Sequence, residues 1–329
     1  MKSIIVFFVF LFSPLTIAEA NLKIFCSAKA NSCLWLKERM YELHGIKSEM
    51  IVKSSGEVLN IIETGAENFD IWWGGTGDTH LKAAESGFLA PITLKRKQDQ
   101  LFWSRHLLDI SKGRSVGVYA GILGIIVNKK VLSDLKLDVP LCWSDLGKTT
   151  YKNQIVLGDP NTSGTAYTFL STLFQIYNGE KIRQILPEIK QNIRKTTNSG
   201  YQAILPLIEG ENAISIAFIH DVISLLDKYE DLDVIIPCEG TGYEIGAASV
   251  INSSKNKEKA INFIELSMQP DIQNLLSSDI GLQIYSNINT VKSGAYNDEK
   301  YFNLINYDFF TYSRPMVRKR TLEFWNRLD

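Results

Sequence analysis

The chain of 329 residues is 45% hydrophobic and 22% charged, which is typical of a folded protein rather than of a disordered or fibrous one. A single hydrophobic core stops growing at roughly 250–300 residues, so the length predicts two lobes. The 35 Lys and Arg residues against 36 Asp and Glu give a formal charge of -1, which argues against a general nucleic-acid binder because such a protein needs a basic excess.

The first twenty residues have the pattern of a secretory signal peptide. Lys2 is followed by an apolar run over 4–12, and small residues at Ala18 and Ala20 stand where a signal peptidase reads. The run is too short to span a membrane, and a buried N-terminal strand is the alternative interpretation. No Cys follows Ala20 directly, so we expect a periplasmic protein without a lipid anchor.

Four cysteines in an oxidising compartment suggest two disulfides, and four cysteines allow three connectivities. Cys26 and Cys33 are close in sequence, which favours their pairing and leaves Cys142 with Cys238. Buried free thiols are the alternative. The spacing lacks paired C-x-x-C units and a neighbouring His cluster, so we predict no metal site there.

From residue 22 to residue 87 the chain alternates strands with helices. Leu36, Met40 and Leu43 recur at helical spacing before a stop at Gly45. This alternation is typical of a mostly parallel sheet with helices on both faces. Strands are predicted at 22–25, 50–52 and 70–73, and helices around 36–43, from 54 to 65 and from 78 to 86.

The rest of the chain continues the pattern. The long apolar stretch 116–128 predicts a strand that crosses between lobes, and 243–251 predicts a strand that returns. Pro206 lies in an apolar run, so we expect its helix to be kinked or broken. Further strands are predicted at 155–157, 214–218 and 234–236, and further helices at 164–177, after His220, and near 255–268 and 271–278.

Three loops that follow strands share one chemistry. The segments 53–57, 74–78 and 159–165 offer small residues, hydroxyls and backbone N–H groups where a helix starts. A helix start carries partial positive charge and unpaired N–H groups, so it binds an anion without a buried cation. Structural alternatives exist, because Ser54 with Glu57 also forms a capping-box pattern, 74–77 also suits a tight turn, and either Thr162 or Ser163 also suits a simple N-cap.

Titratable residues follow two later strands. His220 and Asp221 come after the strand at 214–218, and Glu244 follows the glycine-containing segment 238–242. Carboxylates accept hydrogen bonds from hydroxyl or ammonium groups, so these residues beside an anion site suggest a zwitterionic or a polyhydroxylated anionic ligand. An N-cap pair that merely starts a helix is the alternative for His220 and Asp221.

The motifs 53–57, 72–78, 159–167, 220–221 and 238–244, in this order, resemble type 2 periplasmic substrate-binding proteins of ABC importers. More narrowly, they resemble the iron-annotated branch that includes hexose-phosphate binders. The resemblance implies an α/β fold of two lobes, each a mostly parallel sheet flanked by helices, with two crossing strands as the hinge. It places lobe 1 at 21–120 and 245–329, lobe 2 at 121–244, and the ligand in the cleft between them.

The resemblance also implies residue roles. The phosphate role falls on Ser54, Ser55, Gly56, Thr76, Ser163, Gly164 and Thr165. The sugar or polar end falls on His220, Asp221 and Glu244. The implied partners are a small anionic solute, most simply a hexose phosphate, and an inner-membrane ABC permease with its ATPase. No cofactor, no metal and no nucleic acid are implied, and we expect a monomer.

Other functions have less support. No nucleophile with a His and an acid can be assigned as a catalytic triad, so we predict a binding protein and not an enzyme. Ferric binders of this superfamily resemble one another in an adjacent tyrosine pair, and this sequence contains no Tyr-Tyr. A ferric-iron or aminophosphonate binder, and a receptor that feeds a membrane sensor, are the alternatives that the sequence leaves open.

Overall fold

The computed structural model describes residues 21–65, 67–277, 283–291 and 303–328. The predicted signal peptide lies outside these ranges. Strands β1 to β10 span Leu22–Ser27, Ser48–Val52, Ile71–Thr76, Val116–Asn128, Ile155–Gly158, Ile193–Thr197, Ile214–Phe218, Leu232–Ile235, Tyr243–Val250 and Ile284–Tyr285. Helices α1 to α13 span Ala30–His44, Ser55–Thr64, Gly77–Glu85, Phe102–Ile110, Lys129–Asp134, Gly164–Ile176, Gly179–Asn192, Gly200–Ile208, Ile219–Leu226, Lys257–Ser267, Pro270–Leu275, Phe309–Tyr312 and Pro315–Asn326.

The strands form one sheet in the order β2-β1-β3-β9-β4-β7-β5-β6, and β8 and β10 also pair with β4. The first half of the sheet, β2, β1 and β3, is parallel, and so is the second half, β6, β5 and β7. Two antiparallel strands, β4 and β9, join the halves. The predicted two-lobed α/β fold with two crossing strands is therefore confirmed.

Each half of the sheet has its own apolar core because β4 divides its side chains between them. Val116 and Val118 pack in the core around β1 and β3, whereas Ile125 and Val127 pack in the core around β5 and β7. The last helix, α13, contributes Trp325 to the second core, although the sequence division places 245–329 with the first lobe. The exact lobe boundaries stay a prediction.

Most of the helices end close to where the sequence predicts. Gly45 ends α1 in the left-handed conformation, as its position suggested, but Leu43 is half exposed instead of buried with Leu36 and Met40. Pro206 does not break its helix, because α8 continues through it to Ile208. Pro206 is buried with the neighbouring Leu207, and this packing offsets a local cost of about 3 kcal/mol.

Within the described residues, no helix is long and apolar enough to cross a bilayer. The structure therefore gives no membrane-spanning helix in the part of the chain it covers.

Candidate functional site

A cavity of about 190 Å³ lies between the carboxyl ends of the strands of the two halves, and we call it the cleft. One water molecule needs about 10–15 Å³ of such space, so the cleft can hold a small solute. Open α/β sheets bind ligands at the carboxyl ends of their strands. The predicted site residues that line the cleft are Ser54, Ser55, Thr76, Ser163, Gly164, Thr165, His220, Asp221 and Glu244.

Several helices begin at the cleft. The first turns of α2, α6 and α8 contribute Ser55, Gly164 and Gly200 to its lining, and Thr76 is the residue before α3. The first N–H groups of a helix have no partner within the helix and carry about half a positive charge together. Their convergence gives one end of the cleft a set of donors suited to an anion.

Ser54 and Ser55 have different roles in the structure. Ser54 forms the capping box, since its Oγ accepts from the Glu57 N–H at 3.4 Å and donates to Glu57 Oε2 at 2.7 Å. Ser55 Oγ accepts the Thr76 N–H at 3.1 Å, which leaves its own proton free to donate. Ser55 is therefore the stronger candidate for an anion contact, and Ser54 serves mainly to start α2.

Gly56 does not line the cleft, although the sequence resemblance placed it among the phosphate residues. Its N–H donates to the Thr162 carbonyl oxygen at 2.8 Å, and a Cβ at this position would lie 2.5 Å from Thr162 Cα. The residue instead brings the start of α2 against the loop before α6. The motif could not show this placement, because the contact with Thr162 joins segments that are distant in the sequence.

Thr76 and Gly164 meet across the cleft. A Cβ on Gly164 would lie 2.4 Å from Thr76 Oγ1 and 2.5 Å from its Cγ2, so only glycine permits this approach. Thr76 Oγ1 is buried and has no hydrogen-bond partner among the described residues. A buried hydroxyl without a partner costs free energy, which makes this oxygen a natural contact for a bound molecule.

Ser163 and Thr165 flank Gly164 at the start of α6. Ser163 Oγ accepts from the Ala166 N–H at 3.2 Å, which is the N-cap interaction that the sequence offered as an alternative. Thr165 is buried and faces the start of α8, where a Cβ on Gly200 would lie 2.3 Å from Thr165 Oγ1. The two helix starts are therefore packed against each other through small residues.

The cleft also contains residues that the sequence reasoning missed. They include Lys29, Tyr119, Gly200 and Gln283. The start of α8 repeats the signal used for the other loops, since Ser199 and Gly200 follow a strand and Ser199 caps the helix. Tyr119 and Gln283 carry no such local signal, because a long strand and a distant segment bring them to the cleft.

The other end of the cleft is built around His220. Its Nε2 lies 3.7 Å from Asp221 Oδ1 and 3.8 Å from Glu244 Oε1, and 3.5 Å from Gln283 Nε2. The His220 ring packs directly against Gly121 of β4. A Cβ at Gly121 would lie 2.5 Å from His220 Cε1, so the ring fits only beside a glycine. The predicted grouping of His220, Asp221 and Glu244 at one end of the cleft is observed.

Burial controls the protonation of these groups. Burial, with a further contribution from the positive charge of Lys29, lowers the pKa of His220 to about 3, so its ring is neutral. Burial raises the pKa of Asp221 to about 7, and the Lys29 charge opposes this rise. Burial first, then repulsion by Asp221 and Asp78, raises the pKa of Glu244 well above its usual value. These groups can therefore both donate and accept hydrogen bonds near neutral pH.

Lys29 places a cation at the edge of the cleft. Its Nζ donates to Ser224 Oγ at 2.5 Å and so links the loop after β1 to α9 across the opening. Burial lowers the pKa of Lys29, and the charge of Asp221 partly opposes this. The lining of the cleft thus includes a lysine that the sequence analysis did not select, and the expectation that neutral donors hold the anion stays a prediction.

The cysteines form two disulfides, Cys26–Cys33 and Cys142–Cys238, which are the pairs that the sequence favoured. Within the described ranges, the one group of three potential metal-ligating side chains consists of Cys142, Cys238 and Glu239. The two sulfur atoms of this group are already bonded to each other, so the donor set does not suit a metal ion.

The sequence profile of the family described as bacterial extracellular solute-binding protein matches residues 67–312. An uncharacterized protein of Haemophilus influenzae is 32% identical over 313 residues, covering 94% of this chain and 90% of the relative. The relative matches over both halves of the sheet, and the family profile begins after α2.

Two solved structures are similar over nearly the whole chain. The periplasmic binding protein P5PA is 28% identical with a TM-score of 0.87, covering 94% of this chain and 99% of that one. The periplasmic binding protein AfuA from Actinobacillus pleuropneumoniae, solved with exogenous fructose-6-phosphate bound, is 29% identical with a TM-score of 0.84, covering 93% and 97%.

Proposed function

The chain belongs to the family of bacterial extracellular solute-binding proteins, and we propose that it captures a small phosphorylated solute, most simply a hexose phosphate, in its cleft. Binding proteins of this family deliver small solutes to ABC permeases. The family and the similar structures are binding proteins rather than enzymes.

One observation carries the proposal: the cleft has two chemically different ends. Helix starts with free donors, including Ser55 and Gly164, lie at one end. Buried groups that exchange hydrogen bonds with hydroxyls, namely His220, Asp221 and Glu244, lie at the other. A phosphate ester of a polyol matches this division, because the phosphate needs donors and the hydroxyls need mixed partners.

The similar AfuA structure, with fructose-6-phosphate bound, supports the same ligand class. Ferric iron is less well supported, since the sequence contains no adjacent tyrosine pair. We also propose that two lobes close on the solute, one formed by residues 21–120 and 245–329 and the other by residues 121–244. A cleaved signal peptide would direct the protein to the periplasm. There the protein would act as a monomer and deliver its solute to an ABC permease with its ATPase.

The test uses the chain from Asn21 onward in a thermal-shift screen followed by titration calorimetry. The ligands are fructose 6-phosphate, glucose 6-phosphate, fructose, inorganic phosphate, an aminophosphonate and ferric citrate. We expect a hexose phosphate to raise the melting temperature most, since a tight ligand stabilises the folded state by mass action. Ferric citrate or the aminophosphonate raising it most, with no effect of either hexose phosphate, would overturn the proposal.

The variant Asp221→Ala tests the division of the cleft. We expect it to bind inorganic phosphate as the unmodified chain does and to discriminate less between fructose 6-phosphate and glucose 6-phosphate. Loss of inorganic phosphate binding in Asp221→Ala, with a retained fold, would contradict the assignment of two separate ends.

A further inference from the structure

We propose that Arg318, which does not line the cleft, is a positioning residue that keeps the cleft able to bind an anion. It neutralises Asp78 and joins the starts of α3 and α6. This inference rests on the proposed function, because it assumes that an anion binds where these helices begin. Arg318 comes from α13, near the end of the chain, and no sequence motif indicated its role.

Asp78 places a carboxylate at the start of α3, next to the cleft. It is the second residue of α3, directly after the cleft residue Thr76 and Gly77, and it is buried. A helix start carries only about half a positive charge. A full negative charge in the same turn would therefore outweigh the helix and repel a phosphate bound at Thr76.

Arg318 is placed to cancel this charge. Its Nε donates to Asp78 Oδ2 at 2.6 Å, and the side chains of both residues are almost completely buried. Charges interact more strongly in a buried site than in water, because the surroundings screen them less. The pair leaves α3 with its own dipole directed toward the cleft.

The same side chain contacts the helix on the opposite side of the cleft. The Arg318 guanidinium lies over the ring of Tyr167, with Cζ 5.0 Å from the ring centre. Tyr167 belongs to the first turn of α6, which starts at the cleft residue Gly164. One guanidinium thus contacts both helix starts that meet at Thr76 and Gly164.

The helix α13 is held rigidly enough for this task. Trp325 is buried in the second core, and Asn326 exchanges two hydrogen bonds with Asn161, in the loop that precedes α6. Arg318 Nη2 is buried without a hydrogen-bond partner among the described residues. Burial of the Arg318 guanidinium with an unpaired Nη2 costs free energy. This cost is consistent with a need for its positive charge beside Asp78.

The experiment measures the affinity for inorganic phosphate and for fructose 6-phosphate by titration calorimetry in low salt. Arg318→Gln leaves Asp78 unopposed, and we expect at least tenfold weaker binding of both probes. Arg318→Lys restores the charge, and we expect it to recover most of that loss. The double variant Asp78→Asn with Arg318→Gln removes both charges and should also recover most of it.

Asp78→Asn alone keeps an acceptor for Arg318 Nε and leaves the cation unopposed. We expect it to fold and to bind inorganic phosphate at least threefold more tightly, so the test stands even if Arg318→Gln does not fold. A role in packing alone predicts no tighter binding by Asp78→Asn and no recovery in the double variant, and either result would overturn the inference. Failure of the unmodified chain to bind inorganic phosphate, fructose 6-phosphate and glucose 6-phosphate would overturn the proposed function, and this inference with it.

Discussion

Replacing Gly164 by alanine should open the cleft where its two halves meet. The added Cβ would lie 2.4 Å from Thr76 Oγ1, whereas ordinary van der Waals contact begins at 3.4 Å, so the start of α6 must retreat by about 1 Å. Rotation of the Thr76 side chain does not remove the clash, because the Cβ added at position 164 would also lie 3.0 Å from the Cβ of Thr76.

A retreat of this size would break at least one hydrogen bond from the first turn of α6 to the phosphate of the proposed ligand. A hydrogen bond to a charged group contributes about 1.5–3 kcal/mol, so we expect about 10- to 150-fold weaker binding of fructose 6-phosphate. Titration calorimetry measures this change directly. The melting temperature without ligand should change little, because the proposed separation of the two lobes would relieve the clash.

Gly124→Ala is the matched control. It also adds one methyl group to a buried glycine, but the new Cβ would meet its neighbours at 3.4 Å, an ordinary contact distance. We expect its affinity to stay within threefold of that of the unmodified chain. Unchanged affinity in Gly164→Ala would refute the reasoning, because it would mean that the ligand-bound protein does not bring Thr76 against the start of α6.

Three further predictions concern other parts of the molecule. Ser55→Ala should weaken binding of fructose 6-phosphate by about 1–3 kcal/mol in titration calorimetry, because it removes a donor and the acceptor of the Thr76 N–H. Asp221→Asn should stabilise the ligand-free protein at pH 8 by up to about 4 kcal/mol and change little at pH 4, measured by urea unfolding, since burial raises the pKa of Asp221 to about 7. Replacing Cys142 and Cys238 by serine should cost about 5 kcal/mol of unfolding free energy, because their disulfide, with a separation of 96 residues, restricts the unfolded chain.

The pH prediction has a definite sign. Between pH 4 and pH 7 the folded protein holds the Asp221 proton and the unfolded chain does not, so this group makes stability fall as the pH rises. His220 acts in the opposite direction between pH 3 and 6.5, where only the unfolded chain binds its proton. If Asp221→Asn were equally stabilising at pH 4 and pH 8, burial of its charge would not be the cause.

The other two predictions have equally clear contradictions. Ser55→Ala with unchanged affinity for fructose 6-phosphate would remove α2 from the anion site. The disulfide prediction fails if the serine variant unfolds at the same urea concentration as the oxidised chain. Replacing Cys26 and Cys33 provides the comparison, since their shorter loop should cost only about 2.5 kcal/mol.

The donors at helix starts could be recognised from the sequence because each is a local feature. A hydroxyl or glycine between a strand and a helix predicts its own geometry, and Ser55, Thr76 and Gly164 lie where such a pattern places them. Gly56 belongs to the same kind of loop but contacts Thr162 instead of the cleft. Local sequence cannot separate these outcomes, because the difference lies in which loop of the other half approaches.

The sequence by itself determined the alternation of strands and helices, the two disulfide pairs it favoured and many of the residues that line the cleft. These features depend on residues near one another in the chain, or on the strand ends that a parallel sheet brings to one edge. Only the tertiary structure decided that Lys29 spans the opening, that Tyr119 and Gln283 line the cleft, and that Arg318 pairs with Asp78 across 240 positions of the chain. Such contacts arise from how the lobes and the last helix pack together, and packing between distant segments leaves no periodic or local pattern in the sequence.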